Sequence, residues 1–298
     1  MIRGSTIKRD TATGVVLERR MLTRRYWFEW SRETCVGCGT CAKVCPKEAI
    51  TMRQGRVEDG RLVERPGIEI DAAKCVFCGE CVLLCPVHAL TMTVNGQPEI
   101  PVVVWEAFPQ LIRDIVVRED RLSAAQAAAC VEACPPRVIS VEGETNAAGA
   151  LETVTAVRVD EAGCTYCKQC EALCPDTFSV TSPWEGRIAL NVSLCPPGCR
   201  ACVDICPTRA LTWGDGQVEL DKRFCLYCGA CENVCPVSEA ITVQRSAIRH
   251  YPVKSSAWTK ALESLISIDA AVREIEVKSQ GKRRQVAQFL PGAKRSSP

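Results

Sequence analysis

The chain has 22 cysteines in 298 residues, every one placed in a recurring pattern, and no other feature constrains it as much. From Cys35 it reads C-V-G-C-G-T-C-A-K-V-C-P. The same run returns at Cys75, Cys78, Cys81 and Cys85, at Cys164, Cys167, Cys170 and Cys174, and at Cys225, Cys228, Cys231 and Cys235. A variant with one extra residue occupies Cys195, Cys199, Cys202 and Cys206. Each run ends in Cys-Pro, at Pro46, Pro86, Pro175, Pro207 and Pro236. Three thiols spaced two residues apart wrap a short loop around one object, and the fourth lies beyond that loop's reach. This is the spacing of [4Fe–4S] ligation, in which the fourth cysteine of one run serves the cluster of its partner run.

Two other uses of cysteine fit less well. Disulfide frameworks suit short secreted domains, and no apolar signal segment is read here. Zinc knuckles need neither a third cysteine two residues on nor the Cys-Pro ending. Pairing adjacent runs then gives five ligand sets. Site 1 is Cys35, Cys38, Cys41 and Cys85; site 2 is Cys75, Cys78, Cys81 and Cys45. Site 4 is Cys195, Cys199, Cys202 and Cys235; site 5 is Cys225, Cys228, Cys231 and Cys206.

Site 3 depends on a degenerate run. Cys130 and Cys134 read C-V-E-A-C-P, and extending the template backward puts the two missing cysteines at Ala124 and Ala127. Four positions before each intact run stand Ser31, Asp71, Asp160, Asn191 and Asp221, all turn or cap residues, and Asp120 stands there in the degenerate run. Site 3 is therefore expected at Cys164, Cys167, Cys170 and Cys134. The reciprocal set keeps only Cys130 and Cys174, too few for a cubane. These two are expected to be non-ligands, buried as small hydrophobes.

Each repeat opens on a short alternating segment such as Gly67-Ile68-Glu69-Ile70 and closes on another such as Ala49-Ile50-Thr51-Met52, which read as strands. The expected fold is α+β: tandem bacterial-type two-cluster ferredoxin modules with a helical C-terminal tail. The expected divisions are an N-terminal extension at 1–30, module 1 at 31–100 and a bridge at 101–120. A degenerate module 2 follows at 121–185, then module 3 at 186–245 and a tail at 246–298. Cores this small need the clusters as cross-links, so iron removal is expected to unfold them.

Gly37, Gly39, Gly79 and Gly229 are read as keeping side chains out of the cluster loops. Phe77, Tyr166 and Tyr227, each just before a second cysteine, are read as shields against water, which would tune potentials. The aromatic bridge around Trp105, Phe108 and Pro109 reads as packing. His88 is expected at a solvated turn. Trp258 to Leu265 reads as an amphipathic helix, either a cap over the last module or, with Lys282-Arg283-Arg284 and Lys294-Arg295, a docking element.

Net charge is +2, from 37 basic and 35 acidic residues, with the basic clusters at the ends, which argues against nucleic-acid binding. Arg24-Arg25 are not followed by an apolar segment, so an export signal is not expected. No apolar stretch approaches the roughly twenty residues of a membrane span, and a cytoplasmic location is expected. No nucleotide fingerprint, P-loop or catalytic constellation is found, so the chain reads as a non-catalytic electron carrier.

The order Cys75-Val-Phe-Cys-Gly-Glu-Cys-Val-Leu-Leu-Cys-Pro-Val-His-Ala-Leu-Thr-Met, then Val94-Asn95-Gly96, then an aromatic bridge, resembles the polyferredoxin family, and within it the polyferredoxin subunits of formylmethanofuran dehydrogenases. That resemblance implies a stationary conduit in an anaerobic oxidoreductase complex. Its partner would be a molybdenum- or tungsten-pterin catalytic subunit that reduces CO2, with a soluble ferredoxin as a further redox partner. The chain departs from that family in having fewer runs, one of them degenerate, and a long cysteine-free tail. Electron-transfer subunits of hydrogenase, formate dehydrogenase or CO dehydrogenase complexes, and a cluster-stabilised scaffold, are the alternatives.

Overall fold

A computed structural model describes residues 5–146 and 151–266. Three units share one plan, an outer and an inner antiparallel strand pair flanking the cysteine loops. In the first unit β1 (Ser5–Asp10), β2 (Gly14–Arg20) and β3 (Arg25–Ser31) lead into α1 (Thr40–Val44) and β4 (Ile50–Arg53). The hairpin β5 (Arg56–Glu58) and β6 (Arg61–Glu64) follows, then β7 (Gly67–Ile70), α2 (Glu80–Leu83), β8 (Leu90–Val94) and β9 (Gln97–Pro98). The outer pair is β3 with β8 and the inner pair β4 with β7, while β1 and β2 extend the outer sheet.

The second unit begins after α3 (Pro101–Val104) with β10 (Asp114–Val117), then α4 (Ala124–Ala133), β11 (Ile139–Glu142), β12 (Ala156–Val159), α5 (Gln169–Leu173) and β13 (Phe178–Thr181). Its outer pair is β10 with β13 and its inner pair β11 with β12. The third unit comprises β14 (Trp184–Leu190), α6 (Ala201–Ile205), β15 (Leu211–Gly214), β16 (Gln217–Leu220), α7 (Ala230–Val234) and β17 (Ile241–Ile248). There β14 pairs with β17 and β15 with β16. Every unit thus opens one strand before its first cysteine run. The stretch read as an N-terminal extension supplies β1 to β3, and the stretch read as a bridge supplies β10. Strand pairing across some sixty residues leaves no local signature, so the cysteine runs alone put these boundaries late.

The outer strands carry the expected alternation. In β3, Tyr26, Phe28 and Trp30 are buried while Arg25 and Glu29 are exposed. On β2, Glu18 is buried (1 % exposed) beneath Arg9, Arg20 and Arg25, with oxygens 3.1, 2.6 and 2.7 Å from their guanidinium nitrogens. The hydrogen bond from Arg20 leads in holding its carboxyl down at about 2, with Arg25 adding to it against the opposing cost of burial.

The degenerate run differs from the intact ones. Where they form a loop and a single turn of helix, residues 124–133 form one continuous helix, because A-A-Q-A-A-A has high helix propensity. The turn rule also fails there. Asp71, Asp160, Asn191 and Asp221 each accept a backbone N–H two residues on, and Ser31 accepts one three residues on. Asp120 instead pairs with Arg121 at 3.1 Å.

The units do not pack in chain order. The first and third share one hydrophobic core, running from Leu17 and Leu84 to Ile205, Leu211 and Trp258, whereas the second has its own around Ile115, Ile139 and Phe178. The hairpin β5–β6 helps to join first to third. Arg61 reaches Asp204 at 2.9 and 3.2 Å, the Leu62 amide donates to the same carboxylate, and Arg200 donates its amide to the Gly60 carbonyl at 2.8 Å. This hairpin lengthens the spacing of the first two runs relative to the last two. Its turn, Asp59-Gly60, has both φ angles positive, at 48° and 72°, as a two-residue hairpin favours.

Helix α8 (Ser256–Leu265) starts at Ser255, whose hydroxyl accepts the Trp258 amide. Its apolar face is buried within this chain. Trp258 is 3 % exposed, edge-on to Phe108 at 5.4 Å and donating its indole N–H to His250 at 3.2 Å. The helix therefore caps the shared core of the first and third units rather than the last unit alone. The basic clusters at 282–284 and 294–295 lie outside the described residues.

Candidate iron–sulfur sites

Three cavities are each lined by one complete four-cysteine set. Cys35, Cys38, Cys41 and Cys85 line one, with Trp30, Ile68 and Val87. Cys134, Cys164, Cys167 and Cys170 line another, and Cys206, Cys225, Cys228 and Cys231 a third. These are the sets predicted for sites 1, 3 and 5. The other two sets also converge. Burial pushes Cys78 up to about 11, with Cys45 and Cys75 among the neighbours that raise it, and burial followed by Cys235, Cys195 and Cys199 pushes Cys202 up to about 12. No three His, Cys, Asp or Glu side chains among the described residues close on a single point to hold one ion; the thiols stand around spaces instead.

This chemistry fits a cubane. Burial pushes Cys85 up to about 12, with Cys38 and Cys35 adding repulsion, and burial followed by Cys167 and Cys164 does the same to Cys170. Four such thiols cannot ionise together in an apolar cavity unless cations neutralise them, and bound iron supplies that charge.

The local backbone prepares the ligands. Cys45, Cys85 and Cys134 each accept the amide four residues on, from Ala49, Ala89 and Val138 at 3.3, 3.3 and 3.4 Å. Cys134 thus has the same setting as Cys45 and Cys85. Its φ and ψ of −71° and 108° match the −68° and 112° of Cys45, whereas Cys174 sits at −129° and 66°. Cys174 has left the ligand conformation. Cys130 and Cys174, both buried, are joined as a disulfide with Cα atoms 6.7 Å apart. They stand there as a bonded pair, not as the two separate buried thiols expected.

The residue before each second cysteine is left-handed: Gly37, Phe77, Tyr166, Gly198 and Tyr227, with φ between 50° and 75°. Phe77 lies tilted against Tyr26 at 5.7 Å under the Arg19 guanidinium, and Arg113 lies over Tyr166. The shielding role expected for these rings suits Phe77 and Tyr166, which are 3 % and 4 % exposed. Glycine at 37 answers to space as well, since a Cβ there would collide with the Pro66 ring. At Gly229 nothing lies within 4 Å of such a Cβ, and Lys168 takes the same backbone conformation in the second unit. Conformation, not close approach, selects glycine there.

His88 is not on a solvated turn. It occupies the left-handed position three residues after a fourth cysteine, shared with Glu48, Arg137 and Arg209, and this places it at the seam with the second unit. Its Nε2 is 3.3 Å from Arg113 Nη1, and burial followed by Arg113 holds its pKa down at about 4.

The sets also adjoin one another. Cys41 is among the neighbours that raise Cys81, Cys202 among those that raise Cys231, and Cys38 among those that raise Cys228. The last contact joins the first unit to the third. Asn233 of α7 donates to the Gly37 carbonyl there at 2.9 Å, and Arg245, which no sequence signal marked, is buried beside it. The second unit touches the third through Gln169, which donates to the Thr208 carbonyl at 2.8 Å.

Half of the chain, over residues 34–89, 126–177 and 194–238, matches the model of the 4Fe-4S dicluster domain, and the chain belongs to that family. It is an iron–sulfur electron-transfer protein of ferredoxin type. Among solved structures it is similar, at 26 % identity and a TM-score of 0.74, to a chain of the formate dehydrogenase–heterodisulfide reductase–formylmethanofuran dehydrogenase complex from Methanospirillum hungatei, covering 90 % of this chain and 93 % of that one. It is 34 % identical over 89 residues to formate hydrogenlyase subunit 2 of Escherichia coli, covering 27 % of this chain and 44 % of that protein. It is 47 % identical over 38 residues to the 7Fe ferredoxin of Hydrogenibacillus schlegelii, covering 13 % of this chain and 49 % of that one. The chain thus spans about half the length of these two curated relatives.

Proposed function

We propose that this chain is a stationary subunit that holds five [4Fe–4S] clusters at sites 1 to 5 and passes electrons to or from the catalytic subunit of a larger oxidoreductase complex. The formylmethanofuran dehydrogenase type stands first among such complexes. The observation that carries this reading is the near end-to-end likeness to one chain of the Methanospirillum hungatei complex, together with the four-thiol cavities. When bound, the clusters supply one-electron carriers. The protein supplies buried ligands, amides directed at sulfur, and contacts that set sites 2, 1, 5 and 4 side by side in that order, with site 3 as a side branch. Cys130 and Cys174 are non-ligands in this scheme. The catalytic metal–pterin centre belongs to another subunit, and this chain is not itself an enzyme.

No helix among the described residues is long and apolar enough to cross a membrane. A cytoplasmic location is part of the proposal. The likeness to formate hydrogenlyase subunit 2 favours a second reading, in which the partner is a hydrogenase or formate dehydrogenase. Anaerobic affinity purification from native cells, with mass spectrometry, tests both. Co-purification of a metal–pterin subunit of the formylmethanofuran type is expected. Recovery of hydrogenase subunits replaces the partner, and recovery of the chain alone refutes a stationary subunit.

A further inference from the structure

The seam between the first and third units holds a buried cation that nothing in the fold requires. Arg245 lies on β17 opposite Gly186 of β14, at the bulge after Glu185. It is 6 % exposed. Its Nη2 donates to the Tyr227 carbonyl at 3.1 Å, and its guanidinium lies 4.8 Å from the centre of the Trp184 ring. Tyr227 stands between Cys225 and Cys228 in the site 5 loop. The Nε of Arg245 has no hydrogen-bond partner among the described residues. No carboxylate pairs with Arg245 among the described ion pairs, although an unpaired buried charge is costly. Burial lowers its pKa, and Cys38 of site 1 and Cys228 of site 5 are the neighbours that oppose that shift.

We infer that Arg245 is the positioning and tuning residue of the crossing between the first and third units, a fixed buried cation held on the site 5 loop by its bond to the Tyr227 carbonyl, with its Nε left without a partner among the described residues. The inference rests on the cluster assignment above and goes beyond it by naming what sets the energy of the inter-unit step. In that step one electron leaves the reduced cluster at one site as the oxidised cluster at the other accepts it. No bond forms or breaks. No proton moves, because a guanidinium keeps its charge at any working pH. A reduced cluster carries one more negative charge than an oxidised one, so a buried cation beside both sites favours reduction at both. Asn233, bridging from α7 to the Gly37 carbonyl, holds the two loops in place around it.

At the other two seams, no arginine as buried as Arg245 is found among the described residues. Arg113, at the seam between the first and second units, is shared with the ring of Tyr166 and with His88. This asymmetry makes the crossing from site 1 to site 5 the tuned one and leaves site 3 to the side.

The test is a potentiometric titration of the full iron-replete chain, followed by EPR, on wild type, R245Q, R245K and R223Q. Arg223 also lies beside the site 5 loop, but it is exposed and paired with Asp221 at 2.6 Å. R245Q is expected to reduce the equilibrium constant for reduction of two of the clusters at least tenfold, about 59 mV for one electron, and to leave the others unshifted. R245K, which keeps charge but lacks Nε, is expected to shift the same two clusters by less, and R223Q to shift none. A folded R245Q with unchanged potentials, or with all potentials shifted alike, overturns the inference. Should R245Q fail to load iron, unchanged potentials in R245K overturn it. Wild-type clusters that take no electron refute the electron-transfer reading itself, whatever Arg245 does.

Discussion

Cys134→Ser separates the proposed ligand set at site 3 from every other use of the second unit's cysteines. Serine keeps the volume and can still accept the Val138 amide that now meets Cys134 Sγ at 3.4 Å, so the turn after α4 is expected to persist. What it removes is one of the four thiols around the second unit's cavity. With four irons to each cubane, the loss of one cluster takes iron and sulfide per chain from about twenty to about sixteen, a fall of one fifth. The effect on folding should be local. Ile115, Ile139, Val157 and Val180 pack with these cysteines in a core separate from that of the other units, and a small core deprived of its metal opens readily. Anaerobic iron and acid-labile sulfide analysis, with limited proteolysis mapped by mass spectrometry, reads both effects. Cleavage should concentrate between residues 114 and 181. Cys130→Ser and Cys174→Ser are expected to leave the iron count unchanged. A Cys134→Ser chain with full iron, or a one-fifth loss in either of the other two variants, refutes the pairing.

Three further outcomes follow from the same geometry. The Cys130–Cys174 bond closes a separation of 44 residues, which corresponds to about 4 kcal/mol by the chain-entropy estimate. Cys130→Ser should therefore lower denaturant stability in the absence of thiols by up to that amount, and should differ little from wild type in excess dithiol. Glu18, held at about 2 against an ordinary 4.5 first by the hydrogen bond from Arg20 and then by Arg25, contributes stability that is fully present above pH 4.5 and lost as pH falls toward 2. Thermal melts of wild type and E18Q, in which acid damage to the clusters cancels, should show a gap that narrows across that window; a gap that widens contradicts it. Gly37→Ala meets both a positive φ of 62° and the Pro66 ring. A cost on the order of 1–3 kcal/mol should appear as selective loss of the site 1 cluster by EPR, and Gly229→Ala, with open space around it, should cost less.

The cysteine sets that line common spaces were legible because metal ligation implies a local rule: a loop around one cluster needs thiols at fixed spacing. That rule says nothing about strands formed between residues far apart. Tyr26 to Trp30 read as the end of an extension, although they pair with Leu90 to Val94. The hairpin at Arg56 to Glu64 does carry a signal, in Asp59-Gly60 between Val57 and Leu62, which the cysteine period does not contain. The contact of the first unit with the third depends on pairs such as Asn233 with Gly37, 196 residues apart, which no period or motif encodes. Arg245 is one arginine among many in the sequence; only burial without a carboxylate sets it apart. Helix α8 was legible as amphipathic, and its apolar face pointed equally well to a partner or to this chain until Phe108 appeared beneath Trp258.

The most direct measurement is an iron anomalous-difference map from crystals of the full chain grown without oxygen. The account predicts five cubane-sized peaks, one inside each of the cysteine sets assigned to sites 1 to 5, with sites 2, 1, 5 and 4 in file and site 3 beside them. A peak between Cys130 and Cys174, or none between Cys134 and Cys170, would contradict it.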